Sequence, residues 1–242
     1  MSEADGSNLP AGAKYFGQTS PRDLAELERN AATASPQHLG RAALLLEQAL
    51  HGAMPYAWFG GWAMKLRGVR RDTRDIDLLV QVGSTQEVRA VLQSQPWAIL
   101  SYHHVGGIQE RMFVNVAEAP EGGQVVGVDI VLAGSLYTPP DLTEEGSVER
   151  IAPAIETPQG NAVSVIHLNW QVECKLSTWM GRKKTSDYRD LQHLFLKYGD
   201  HIKTVSQYLD LESRKEFYEI YKAHRTDEGM RAYMKDVLQL EC

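Results

Sequence analysis

The six residues Asp75-Ile76-Asp77-Leu78-Leu79-Val80 constrain the fold more than any other stretch of the chain. They carry the strongest strand signal, and strand side chains alternate between two faces. Asp75 and Asp77 therefore share one face, roughly 7 Å apart along the strand at a rise of about 3.3 Å per residue. Ile76, Leu78 and Val80 turn to the other face. The apolar face requires a core. The acidic face requires either water or a cation, because two carboxylates at this spacing repel each other. Upstream, Gly60-Gly61 lies between a short strand in "AWFGG" and a two-turn helix in "WAMKLRG". Glycine at such a junction permits a tight turn and close approach of a phosphate to the backbone. It also serves as a plain turn with no ligand.

A third acid lies in "VVGVDIVLAG", where Asp129 shares a strand face with Val125, Gly127 and Val131. A carboxylate in such an apolar strand costs free energy unless it is paired or binds a metal. The alternatives are an exposed edge or a hydrogen bond to a loop. Two acids on one strand and one on a neighbour can cage divalent ions, and such a cage supports in-line phosphoryl or nucleotidyl transfer.

The remaining pattern is a mixed α/β (α+β) half followed by a helical half. Helices are predicted from Pro21, from Pro36 behind a Ser35 cap, and over "TQEVRAVLQSQ". Strands are predicted over "WAILSYHH", "ERMFVNVAE" and "QVVGVDIVLAG", and on both sides of Gly160-Asn161 within "AIETPQGNAVSVIHL". A loop is expected from Pro139 to Arg150, and helices from His167 onward. The expected organisation is a tail over residues 1–20, an α/β core over 21–165 and a helical region over 166–242. At 242 residues, 43% hydrophobic and 23% charged, the chain is long enough for a sizeable core. Its formal net charge of −6 speaks against a broad duplex-binding footprint. Its two cysteines show no metal-ligand spacing, and no stretch approaches a membrane span. The first residues are polar and lack signal-peptide order, so a cytosolic protein is expected.

The succession Gly60-Gly61, Arg71-Asp72-Thr73-Arg74 and Asp75-Ile76-Asp77-Leu78 resembles the nucleotidyltransferase (polymerase β-like) superfamily. It is most similar to the antibiotic nucleotidyltransferases and to the toxin nucleotidyltransferases of type IV toxin–antitoxin systems. Asp129 stands where that superfamily carries its third metal-binding carboxylate. The resemblance implies Mg²⁺ or Mn²⁺, a nucleoside triphosphate, and transfer of a nucleoside monophosphate to an acceptor. By the same resemblance Asp75, Asp77 and Asp129 hold metal, Asp129 also draws the acceptor's proton, and Gly60 and Gly61 cradle phosphates. Arg70, Arg71 and Arg74 either grip phosphates or are solvated loop charges. The acceptor stays open between a small hydroxylated molecule, an RNA end and a protein. Two further readings keep the fold, one as a catalytically inactive module that binds a nucleotide or protein partner, one as an enzyme of different small-molecule chemistry.

In the helical half, Leu168, Val172, Leu176 and Trp179 form one stripe at 100° per residue, with Lys175 at its edge. On the next helix Asp187 falls in the middle of the stripe of Leu191, Leu194 and Tyr198. Lys175 either snorkels to water or acts, and Asp187 either caps its helix or acts. The stretch "VECKLSTWMGRKKTSDYRDLQHL" resembles a segment of the toxin-type relatives through Lys175, Arg182, Lys184, Asp187 and Asp190. In that group the lysine and the first aspartate belong to the active site, which the resemblance sets in a cleft between the two halves. It gives Lys175 the neutralisation of triphosphate charge, and Asp187 the orientation of the lysine or the acceptor. Lys183 and Ser186 depart from the pattern. Trp58 and Trp62 flank the glycine turn and are read as base-stacking or core residues.

Overall fold

The computed structural model describes residues 14–15, 21–105, 109–116, 123–158, 160 and 162–240. The chain divides into two compact units, Met1–Ser135 with Pro139–Ile166, and Leu136–Thr138 with His167–Cys242.

In the first unit, strands β1 (Lys14–Tyr15), β2 (Tyr56–Phe59), β3 (Asp75–Val80), β4 (Ala98–Val105), β5 (Gln109–Asn115), β6 (Val125–Leu132), β7 (Val148–Ile151) and β8 (Val163–Ile166) form one mixed sheet. Their order is β1-β4-β5-β6-β3-β2-β8-β7. The unit's helices are α1 (Pro21–Ala31), α2 (Pro36–Leu50), α3 (Gly60–Leu66) and α4 (Thr85–Leu92). β3 runs parallel to β6 and antiparallel to β2, near the middle of the sheet. Its apolar face does what the alternation requires: Ile76, Leu78 and Val80 are fully buried. They join Val126, Val128 and Ile130 of β6 and the α2 stripe Leu39, Ala42, Ala43 and Leu46 in one core cluster. Burial of such side chains stabilises by about 1.5–3 kcal/mol each. α2 enters behind Ser35, which accepts from the His38 amide, with Pro36 at the first helical position. On the opposite sheet face, Leu24, Leu27 and Ala31 of α1 pack against Ile99, Phe113 and Val125.

Three features differ from the sequence expectation. Lys14–Tyr15, assigned to the tail, pair in parallel with Ile99 and Leu100 of β4; the rest of residues 1–20 lies outside the described residues. The strand expected at the start of "AIETPQ" is a bend instead, and β8 pairs with Val148–Ile151 from the expected loop. This edge strand is only half buried, so its sequence lacks the apolar alternation that reveals the others. Third, residues 136–138 join the second unit. The β7–β8 edge is tied to the end of α3 by Arg67, 2% exposed, which donates to Glu149 and to the Ile166 carbonyl at 2.8 Å each.

The second unit is helical: α5 (Leu168–Arg182), α6 (Thr185–Lys197), α7 (Gly199–Val205), a 3-10 turn at Ser206–Tyr208, α8 (Leu211–His224) and α9 (Glu228–Val237). Phe217 centres its core, edge-on to Phe195 at 4.9 Å and to Trp179 at 5.6 Å. No helix of the described residues is long and apolar enough to cross a membrane.

Candidate functional site

The β3–β6 register sets Asp77 directly opposite Asp129, and Asp75 opposite Gly127. Cross-strand partners share a face, so all three predicted acids lie together on the side of the sheet away from α2. Each carboxylate is individually supported. Asp75 accepts from the Thr73 hydroxyl at 3.2 Å. Asp77 accepts from the backbone N–H of Gly61 at 2.7 Å. The glycine pair explains itself at this point. Gly60 has φ of +57°, a left-handed conformation, and a Cβ there would collide with the Asp77 carboxylate and lie 2.8 Å from its Cβ. A Cβ on Gly61 would lie 2.7 Å from the Thr73 hydroxyl. The turn thus seats Asp77 against the backbone, with the Gly61 N–H engaged by the aspartate.

The centre of the acid face is filled by a residue the sequence reading missed. Arg111 of β5 pairs in register with Asp129. Its Nη1 lies 3.1 Å from Asp129 and 3.9 Å from Asp75. Its Nε and Nη2 donate to Glu28 of α1 at 3.3 and 3.1 Å. Gly127 leaves room for this: a Cβ there would lie 2.7 Å from the Arg111 Cζ. Burial works against the guanidinium charge, but Asp129, Glu28 and Asp75 hold Arg111 above the ordinary arginine value. Asp129 titrates above the ordinary carboxylate value, because burial outweighs the pull of Arg111 and Asp75 adds repulsion. Among the described residues, no group of three or more His, Cys, Asp or Glu side chains is gathered closely enough to hold a metal ion. The cation standing between Asp75 and Asp129 is the guanidinium. In "ERMFVNVAE" Arg111 shares its strand face with Phe113, a cation beside an apolar residue. Only the β5–β6 register, which no single strand encodes, brings it to Asp129.

The other predicted positions divide. Arg74 is exposed, and Arg71 donates to the Asp72 carbonyl at 3.2 Å. Trp58 and Trp62 are both fully buried in the core cluster, so neither is available to stack on a base. Lys175 and Asp187 belong to the second unit and meet there. Lys175 Nζ lies 2.8 Å from Asp190 and 3.5 Å from Asp187, and Arg182 grips Asp187 with two hydrogen bonds of 2.7 and 2.9 Å. The turn between α5 and α6 makes this possible, with Lys183 in the left-handed region at φ +50° and α6 starting two residues later. Lys175 does not snorkel, since its side chain is 7% exposed, and Asp187 is not the cap, a position Lys184 holds. Burial opposes the Asp187 charge, but Arg182 and Lys175 hold it below the ordinary carboxylate value. One turn before Lys175, Gln171 is fully buried with neither amide atom hydrogen-bonded. Cys174 is a buried thiol pushed up to about 12 by burial.

No protein-family model matches the chain, and no curated protein sequence matches it. Solved structures do. An antigenic nucleotidyltransferase-like protein from Paracoccidioides brasiliensis superposes with a TM-score of 0.50 at 20% identity, over 66% of this chain and 77% of that one. The fold is nucleotidyltransferase-like. Two other structures are similar at lower scores. ANT(2'')-Ia in complex with adenylyl-2''-tobramycin has a TM-score of 0.47 at 16% identity, over 75% of this chain and 98% of that one. The nucleotidyltransferase toxin MenT4 from Mycobacterium tuberculosis has 0.39 at 14% identity, over 89% and 87%. Within this nucleotidyltransferase-like fold the acid face, the glycine turn and Arg111 all belong to the sheet unit.

Proposed function

We propose that the chain is a divalent-metal-dependent nucleotidyltransferase, moving a nucleoside monophosphate from a nucleoside triphosphate to an acceptor. The observation that carries this reading is the register that sets Asp77 opposite Asp129, with Asp75 on the same face beside the Gly60-Gly61 turn. The donors in reach are carboxylate oxygens, which suit a hard ion such as Mg²⁺ or Mn²⁺. When bound, such an ion supplies positive charge to phosphate oxygens as they gain charge during transfer. Asp75 and Asp77 would hold it together with the triphosphate. Asp129 would complete the set from the neighbouring strand and take the proton of the acceptor hydroxyl. The acceptor oxygen forms a bond to the α-phosphorus, the bond from that phosphorus to the bridging oxygen breaks, and pyrophosphate leaves with the electron pair.

The other residues fill supporting roles in the same reading. Gly60 and Gly61 keep side chains off the backbone beside Asp77, so that phosphates approach it closely. Arg74, exposed at the entrance to β3, would meet phosphate charge. Lys175 would offset triphosphate charge, and Asp187, 3.5 Å from its ammonium, would orient it. The acceptor is a small hydroxylated molecule, an RNA end or a protein.

A second reading, nucleotide binding without turnover, is favoured by one observation: Asp129 is already paired with Arg111 at 3.1 Å. A screen of the four nucleoside triphosphates with Mg²⁺ or Mn²⁺ separates the two. Metal-dependent pyrophosphate release supports transfer. Metal-dependent binding with no release under any acceptor class supports the binding module.

A further inference from the structure

Four residues of α1 fall at the spacing of one helical face: Leu24, Leu27, Glu28 and Ala31. Leu24, Leu27 and Ala31 pack on Ile99, Phe113 and Val125, beside the acids on the same face of the sheet. Glu28 is therefore carried into position by packing that does not involve its own charge. A second anchor fixes the same helix. The Asn30 side-chain oxygen accepts from the Val125 N–H at 2.7 Å and from the Gln124 amide at 2.9 Å. With α1 pinned at these points, Glu28 holds Arg111 through two nitrogens, Nε and Nη2, and leaves only Nη1 for Asp129 and Asp75.

We propose that Arg111 is the resident cation of the acid face and sets its affinity for divalent metal, with Glu28 as the carboxylate that retains the guanidinium when metal enters. The inference rests on the reading of Asp75, Asp77 and Asp129 as metal ligands. A guanidinium and a divalent ion cannot both stand between Asp75 and Asp129, because they repel each other and compete for the same oxygens. The division of contacts makes exchange easy. Giving way requires loss of the 3.1 Å contact to Asp129, while both bonds to Glu28 are kept. Glu28 and Arg111 thus act in opposite directions. Arg111 lowers affinity by neutralising the ligands, and Glu28 raises it by drawing Arg111 away. In this role Arg111 is a positioning residue for Asp129, and Glu28 acts only through Arg111.

Binding of Mn²⁺ to the full chain without nucleotide, followed by electron paramagnetic resonance, reads this directly. Arg111→Met is expected to bind Mn²⁺ about tenfold more tightly or better, the effect typical of removing one neighbouring charge. Glu28→Gln is expected to bind several-fold more weakly, on the order of threefold, because the freed guanidinium turns wholly to the acids. The double variant should match Arg111→Met within about twofold, since Glu28 has nothing left to act on. Arg111→Gln, which keeps an amide to meet Glu28, repeats the test should the methionine variant fold poorly. Mn²⁺ affinity unchanged or weakened in both Arg111 variants, with Asp77→Asn still abolishing binding, would overturn the inference and leave the metal site standing. Absence of Mn²⁺ binding in the wild type and in both Arg111 variants would overturn the metal reading itself.

Discussion

The two charge clusters of this protein are built on opposite principles. In the sheet unit, Asp75, Asp129 and Glu28 meet the Arg111 guanidinium, and these participants stay partly open to solvent, from 22% for Asp129 to 46% for Glu28. In the helical unit two carboxylates, Asp187 and Asp190, meet two cations, Lys175 and Arg182, and three of the four are almost wholly buried. A buried cluster must balance, because an uncompensated charge in low dielectric is expensive. An open cluster with more carboxylates than cations carries no such requirement, and in the proposed reading it is where a divalent ion would enter. The difference separates a cluster whose charges the chain balances itself from one that it leaves partly open to solvent.

The largest expected effect tests that separation. Lys175→Met removes the cation 2.8 Å from the fully buried Asp190 and should destabilise by about 3–5 kcal/mol. Arg111→Met, in the open cluster, should cost about 1 kcal/mol or less. Denaturant titration of both variants checks the contrast, and equal losses would erase it. Next comes the glycine turn. Gly60→Ala meets both a left-handed backbone and the Asp77 carboxylate, and should cost about 1–3 kcal/mol together with loss of nucleotide binding. Gly52→Ala, also at positive φ but with open space around it, supplies the strain-only control at about 1 kcal/mol, with binding retained.

The smallest effects concern pH, and their signs are opposite. Asp187 titrates below the ordinary value of 3.8, so its contribution to stability is present above that pH and lost as pH falls through its folded value. Asp129 titrates above 3.8, so its contribution is present in acid and lost as pH rises through its folded value. At neutral pH, Asp187→Asn should therefore lower the melting temperature and Asp129→Asn should raise it, at the expense of function. Thermal melts at pH 7 and pH 3 check this. A destabilised Asp129→Asn protein at pH 7 would set Asp129 with the charge-balanced cluster instead.

The sequence made some of this legible for definite reasons. Alternation in Asp75–Val80 and around Asp129 announces two strands and which way the acids point. The 3.6-residue stripes place Lys175 and Asp187 on buried helix faces. What alternation does not carry is register, so Asp77 opposite Asp129 was an expectation and Arg111 was unseen. Glu28 was hidden for the same reason, since its partner lies 83 residues away. Edge strands are weakly written because only half their surface is buried, hence the misplaced β7. Trp58 and Trp62 show the converse limit: an aromatic beside a glycine turn reads as a ligand contact until burial is known.

The central claim is that the face bearing Asp75, Asp77 and Asp129 binds a nucleoside triphosphate through a divalent ion. Isothermal titration of the wild type with each triphosphate, with and without Mg²⁺, tests it most directly when paired with Asp77→Asn at matched melting temperature. The prediction is Mg²⁺-dependent binding that the single exchange of carboxylate for amide removes, with folding unchanged. Equal Mg²⁺-dependent affinity in the two proteins would contradict it.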